Sequence, residues 1–460
     1  MYKRQRGWKQ RSWKRKTPHR PWYFYAALWV GIPIGLELLM RLGVSVTGMN
    51  QAFATQPSEQ AQRVQAYQLG FRSPSGEPYP ELPQQGALQA IRSPLMGYQL
   101  LPAQQNPYWI INPQGFRDEE PIELAKASNE VRIFVLGGGM AFGQLNANNQ
   151  ATFAHQLEQQ LNAQVTAQRQ TPEKFQPTVL PYTAEEVEKV LQRPERIPER
   201  QYRVVNAAVP GHASGNDLAM LIQQVAAYNP DMVILLNSYE DLLLPSTYSG
   251  SDIPGLDALL TGNRDRSDHQ LGQTLQSWLG QLYLVKGVQT YLLPARSPAT
   301  EQVIPLNLTM ATQPTLEEYL PTDEAELNAR VDRYRNHLLQ MVRWSASARK
   351  RLLVGIQPEL SARSPDAMPP AEQALLEQLG DDYATRIEAG YNKLVAAAKQ
   401  ATQTSANAEL LDLHQLFANS QDPAFQSPTS LTDEANAVLA EQFYQVIIDQ
   451  LAITPKPFGS

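Results

Sequence analysis

Five short runs of β-branched and apolar residues alternate with amphipathic helical stretches along this chain. The runs lie at 131–136, 202–206, 232–237, 351–356 and 409–413. The helical stretches lie at about 150–162, 215–228, 326–349, 371–402 and 432–451. Runs this short and this apolar read as strands buried on both faces. A helix between successive strands demands a crossover connection, so the pattern predicts a mostly parallel sheet covered by helices on both sides. Two segments interrupt the alternation. Residues 165–200 are rich in Gln, Glu and Pro, with a short helix predicted at 184–192. Residues 243–322 carry Pro, Ser and Gly clusters and an amphipathic stretch near 270–288. Such insertions sit on the surface. No internal repeat is present.

The first run ends in a glycine turn, VRIFVLGGGMAFG at 131–143. Strand, sharp turn and helix together are how several α/β enzymes present a nucleophile or a phosphate-binding loop. Here the turn carries no reactive side chain. Gly137, Gly139 and Gly143 also have the look of a dinucleotide loop. That reading requires an acidic residue about 20 positions on, at the end of a second strand, and the next strand begins only near 202 and ends in Asn206. No cofactor is expected. The simpler account of the glycines is a turn that needs unusual backbone angles and close helix packing.

Other reactive groups are sparse. With no cysteine in the chain, thiol nucleophiles, disulfides and thiolate metal sites are excluded. The histidines (His19, His155, His212, His269, His337 and His414) have no metal-ligand spacing, so no metal is expected. His212, with Ser214 and Asp217 close behind it, is the most suggestive. His414 and Asp412 stand at the end of the last strand. Met140 and Phe142 read as packing residues.

The N-terminus points to a membrane. Nine of the chain's 39 Lys and Arg fall in the first twenty residues, which hold no acid. The remainder then has 30 basic against 45 acidic side chains, a net −15. Residues 21–36 are uncharged and apolar, and the apolar character runs on past Glu37 and Arg41 to about 46, roughly the ~20 residues of a spanning helix. Trp22, Tyr23 and Tyr25 suit an interfacial belt, and the basic arm at 1–20 fits the positive-inside rule. This predicts a cytoplasmic arm, a transmembrane helix at 21–46 and a periplasmic or otherwise extracytoplasmic body. The rival readings are cleavage at the A-x-A site ending in Ala54, giving a secreted protein, and a buried soluble helix. The anchor is the preferred reading, and nucleic acid is not an expected partner. Residues 47–110 read as a stalk and lead-in, with the folded domain at 111–455.

Five sequence blocks, in order, resemble the SGNH (GDSL-type) hydrolases. They are NPQGFR at 112–117, VLGGGMAFG at 135–143, RVVNAAVPG at 203–211, PDMVILLNSYED at 230–241 and LTDEAN at 431–436. The resemblance covers about 110 to 451. It implies a flavodoxin-like three-layer α/β sandwich with a five-stranded parallel sheet in the order 2-1-3-4-5. It also implies a Ser-His-Asp triad, with Gly and Asn completing an oxyanion hole. Carried over residue by residue, the nucleophile position falls on Gly139 and the third-block Asn on Glu240. The triad His falls on Ser430 and its Asp on Ser427. The second-block glycine, Gly211, is retained, as is Asp241 beside Glu240.

Acyl transfer by that route needs an attacking oxygen, a base that titrates near neutrality, and donors aimed at the developing oxyanion. Gly139 has no oxygen to offer and Ser430 is no base near pH 7. The catalytic set is therefore expected to be degenerate. The cleft at the strand ends, lined by Gly138, Met140, Asn206, His212, Ser214, Asn237 and Asp241, would persist as a ligand groove. The predicted role is binding or scaffolding in cell-envelope polysaccharide synthesis, modification or export. Two alternatives stay open. One is an active carbohydrate esterase or O-acyltransferase using displaced residues such as Ser214, His212 or Ser430. The other is a structural subunit of an envelope membrane complex.

Overall fold

The computed structural model describes residues 59–73, 75–77, 86–93, 96–247 and 316–459. The basic arm, the membrane helix at 21–46, the cleavage site near Ala54 and the amphipathic stretch near 270–288 lie outside the described residues. No described helix is long and apolar enough to cross a membrane.

Helix α1 (Glu59–Tyr67) leads into β1 (Leu69–Arg72), β2 (Leu88–Ser93) and β3 (Gly97–Leu100). In this small sheet β1 and β2 run parallel and β2 and β3 antiparallel. Tyr67, Phe71, Tyr98 and Leu100 are buried in the main core. The Tyr98 hydroxyl donates to the Pro210 carbonyl at 2.7 Å, and the Trp109 indole donates to the Ala66 carbonyl at 2.9 Å. Within the stretch read as a stalk and lead-in, described structure thus begins at 59 and packs into the main core. Elements of four to nine residues are too short to show a clear period, and their burial comes from aromatic side chains set singly along a polar stretch.

A short pairing of β4 (Gln104–Gln105) with β5 (Ile110–Ile111) precedes the main sheet. There follow β6 (Glu130–Gly137), α2 (Gly139–Phe142), α3 (Phe153–Gln170), α4 (Ala184–Leu191) and β7 (Gln201–Asn206). Next come α5 (Ser214–Gln223), β8 (Met232–Leu236), α6 (Tyr239–Leu243), α7 (Glu324–Ala348) and β9 (Arg351–Ile356). The described chain ends with α8 (Pro370–Glu377), α9 (Tyr383–Thr402), β10 (Ala408–Asp412), the β11 (Phe425–Ser427) and β12 (Ser430–Leu431) pair, and α10 (Asp433–Leu451).

The sheet order is β10-β9-β8-β6-β7, with every pairing parallel. Numbered from β6, that is 2-1-3-4-5, the doubly wound order whose switch point lies beside the first strand. Gly137 pairs with Leu236 and Leu236 with Gly355, so the carboxyl ends of the three central strands finish level. Helix α3 packs on α10, where Phe153 stacks on Phe443 at 5.4 Å, while α7 packs on α5 and α9.

Two helix expectations needed revision. The stretch 371–402 is two helices, α8 and α9. Gly380 breaks it with φ +116°, and the Glu317 carboxylate fills the space a Cβ would take there. The stretch 215–228 ends its α-helix at 223 and closes in a 3-10 turn capped by Asn229 at φ 51°. By contrast, Thr432 caps α10 by accepting the Ala435 N–H at 3.1 Å, as the LTDEAN block predicts.

Candidate active site

The glycine turn after β6 is buried throughout. Gly137 adopts φ +144°, a region open to glycine, and Gly138 and Gly139 open the one-turn helix α2. The turn is braced from behind by Arg117, the last residue of the NPQGFR block. Its guanidinium donates to the carbonyls of Phe142 (2.9 Å) and Gly143 (2.6 Å) and to the Tyr67 hydroxyl (2.8 Å), and it lies 4.8 Å from the centre of the Phe142 ring. Asn206 adds two more bonds, from its amide to the carbonyls of Ala141 (3.1 Å) and Phe142 (3.2 Å). Both polar side chains are therefore spent on holding backbone.

The space a serine side chain would need at 139 is occupied. A Cβ there would meet Gln144 Oε1 at 2.5 Å and the Thr429 carbonyl at 3.2 Å. Gln144 is itself buried. On the other side of the turn, Glu240 packs its carboxyl against Gly138, leaving no room for a Cβ. Glu240 Oε1 accepts the Gly139 N–H at 3.3 Å. That amide is a free donor at a helix start, the kind of group that stabilises an oxyanion. The protein's own carboxyl group takes its bond. Burial drives the Glu240 carboxyl up to about 8; hydrogen bonds from its own and the Gly139 backbone pull it down, and the charges of Asp217 and Asp241 add to the rise. It is therefore largely neutral at pH 7.

The two positions expected to lack a triad acid and base hold a matched pair. Ser427 Oγ and Ser430 Oγ are 2.6 Å apart, both buried, across the irregular β11–β12 turn. A hydroxyl–hydroxyl bond replaces what would have been an ionic one, and no charge is left to relay.

The residues expected to line an open cleft are mostly closed in. Gly138, Met140, Asn206, His212, Ser214, Asn237 and Asp241 are all buried, and the retained second-block glycine, Gly211, at φ +81°, is half-buried. Their side chains bond to backbone carbonyls and to one another, while His212 Nδ1 and Asn237 Oδ1 are buried without a hydrogen-bond partner among the described residues. His212 Nε2 lies 2.9 Å from the Tyr98 carbonyl, which can only accept, so that nitrogen carries a hydrogen. Its Nδ1 faces Asp217 at 3.7 Å. Asn237 donates to the His212 carbonyl (2.8 Å) and to Asp217 (2.5 Å).

Ser214 has a histidine within hydrogen-bond reach, but it is not His212. Its Oγ lies 2.8 Å from His337 Nδ1, on α7, and 2.6 Å from Asp241 Oδ1. The Ser214 N–H also donates to Asp241, at 2.9 Å. A carboxylate only accepts, so it takes the serine proton, and the imidazole must then donate to the serine oxygen. The order is Asp–Ser–His, whereas nucleophilic catalysis needs the histidine between acid and serine. All three are fully buried or nearly so. The trio locks the starts of α5 and α6 to α7. His337 is the member that sequence reasoning missed.

Comparison with known proteins gives limited support. No family model matches the chain, and no curated protein matches it. Several solved structures share its general course. A lipase/acylhydrolase from Enterococcus faecalis is 13% identical, with TM-score 0.34, over 71% of this chain and 98% of that one. The acetyl xylan esterase AlAXEase is 10% identical with TM-score 0.31, over 69% and 100%. Axe2, an acetylxylan esterase from Geobacillus stearothermophilus, is 12% identical with TM-score 0.32, over 69% and 94%. Likeness at this level assigns no residue a role, and the fold rests on the strand order and register above.

Proposed function

We propose that this chain is a membrane-anchored, extracytoplasmic protein of SGNH-hydrolase design that does not hydrolyse esters at the family position. It acts as a binding or scaffolding component in cell-envelope polysaccharide synthesis or modification. The observation that carries the loss of chemistry is the filled turn: Gln144 takes the nucleophile's space and Glu240 takes the amide that would face an oxyanion. Removal of a triad nucleophile or histidine costs about 10⁶ in kcat in a comparable enzyme. Here both are absent and their places are packed. The basic arm and the apolar segment at 21–46 support the anchor and its orientation. The link to polysaccharide is an analogy with membrane-tethered members of the family.

The test uses the full-length protein in detergent with p-nitrophenyl acetate and acetylated xylan. The expected rate equals that of buffer. Turnover well above buffer that disappears in Ser214→Ala or His337→Gln would establish the rival reading, an esterase using displaced residues. The 2.8 Å Ser214–His337 approach is the one observation in that reading's favour.

A further inference from the structure

We propose that a recess at the carboxyl ends of β9 and β10 is a binding site for a small ligand bearing a primary ammonium group. The recess encloses about 210 Å³ between the 359–362 turn, one face of α9 and the His414–Gln415 corner. It lies two strands away from the filled turn on β6, at the end of the sheet where open α/β folds bind ligands.

Its lining is chemically one-sided. Glu388 and Asn392 lie one helical turn apart on α9 and face the recess together. Glu388 makes no ion pair among the described residues. Glu359 forms the inner wall. Its carboxylate is held by the Ser361 N–H at 2.6 Å, by the Ser361 hydroxyl and by the Tyr383 hydroxyl at 3.1 Å. His414 forms the opposite wall, and its ring is fixed by Asp412, with Nδ1 2.7 Å from Oδ1. Asp412 takes the hydrogen of Nδ1, so in the neutral ring Nε2 is an acceptor. Beneath them the Tyr391 ring is buried 6.2 Å from the imidazole.

Two carboxyl groups line the recess and neither Lys nor Arg does. A phosphate or carboxylate ligand would meet like charge there. An ammonium brings three donors and the opposite charge, matching a carboxylate, an imidazole nitrogen and amide oxygens. The described residues offer no cluster of His, Asp and Glu suited to a metal ion. This inference is independent of whether the filled turn is catalytically silent.

Calorimetric titration of the full chain in detergent with glucosamine, glucose and glucuronate tests it. Glucosamine should bind, glucose and glucuronate markedly less. Glu388→Gln should weaken glucosamine by about tenfold, the scale of one charge-assisted contact. Asn392→Asp should tighten it, and neither exposed substitution should move the melting temperature. The proposal is overturned by the absence of heat with glucosamine at millimolar concentration, by equal affinity for glucose, or by indifference to Glu388→Gln.

Discussion

Glu240→Gln isolates the carboxyl group that occupies the glycine turn. The two side chains are nearly the same size, and a glutamine carbonyl can accept the Gly139 N–H as Glu240 Oε1 does. The difference is charge. In the unfolded chain a glutamate titrates near 4.5, and in the folded protein Glu240 titrates at about 8, through burial first and then the neighbouring Asp217 and Asp241. Between those values the folded state holds a proton that the unfolded state has released. Glu240 therefore contributes fully to stability below pH 4.5. That contribution declines as pH rises and is gone above about 8. At about 1.4 kcal/mol per unit, the whole swing is on the order of 5 kcal/mol, an upper bound because a charged Glu240 would draw in water or shift. Glutamine has no such swing. Urea unfolding of both proteins at pH 5, 7 and 9 reads the difference directly, since every other titrating group is common to both. The variant should match the wild type at pH 5 and exceed it by several kcal/mol at pH 9. A difference that stays flat with pH would refute the claim that this carboxyl group is desolvated against the turn.

Three further outcomes follow from the same packing. Gly139→Ser should destabilise the protein by about 1–3 kcal/mol through overpacking against Gln144 and should hydrolyse no p-nitrophenyl acetate, as checked by urea midpoint and initial rate. Arg117→Met should cost about 3–5 kcal/mol, since the Gly143 carbonyl loses its buried donor and the Phe142 carbonyl is left with Asn206 alone; hydrogen exchange should rise first at 139–143. Ser214→Ala should cost about 1–3 kcal/mol by leaving Asp241 and His337 without their shared partner, and the loss should be smaller when Asp241→Asn is already present.

The three central strands were legible because a parallel strand buried on both faces must be apolar along nearly its whole length; the edge strand at 408–412 is only half-buried and was legible from its Leu410–Leu411 core and its place after a helix. The glycine turn was legible for the same reason: the strand stops where the glycines start. Gln144 was not, because nothing about a glutamine five residues past a turn marks it as the side chain that folds back into the nucleophile's space. His337 was hidden by distance. It lies 123 residues from Ser214 on a helix whose period marks it only as an inward-facing position. The small sheet before residue 105 was hidden by brevity. The recess was hidden because Glu359, Glu388 and His414 come from two separate connections and a helix, brought together only by the order in which β9, α9 and β10 pack.

The Ser427–Ser430 bond and the filled turn also bear on the routes open to mutation. Regaining an esterase from this chain would require a serine at 139, a smaller residue at 144, a neutral donor at 240 and an acid–base pair at 427 and 430. The serine taken alone crowds the turn, and the acid–base pair taken alone places charge in a site now held together by two hydroxyls. Intermediates carrying the serine or the charged pair alone would be less stable than the present chain and no more active. Packing thus sets a cost in stability on two of the steps back to hydrolysis, before any chemistry is regained.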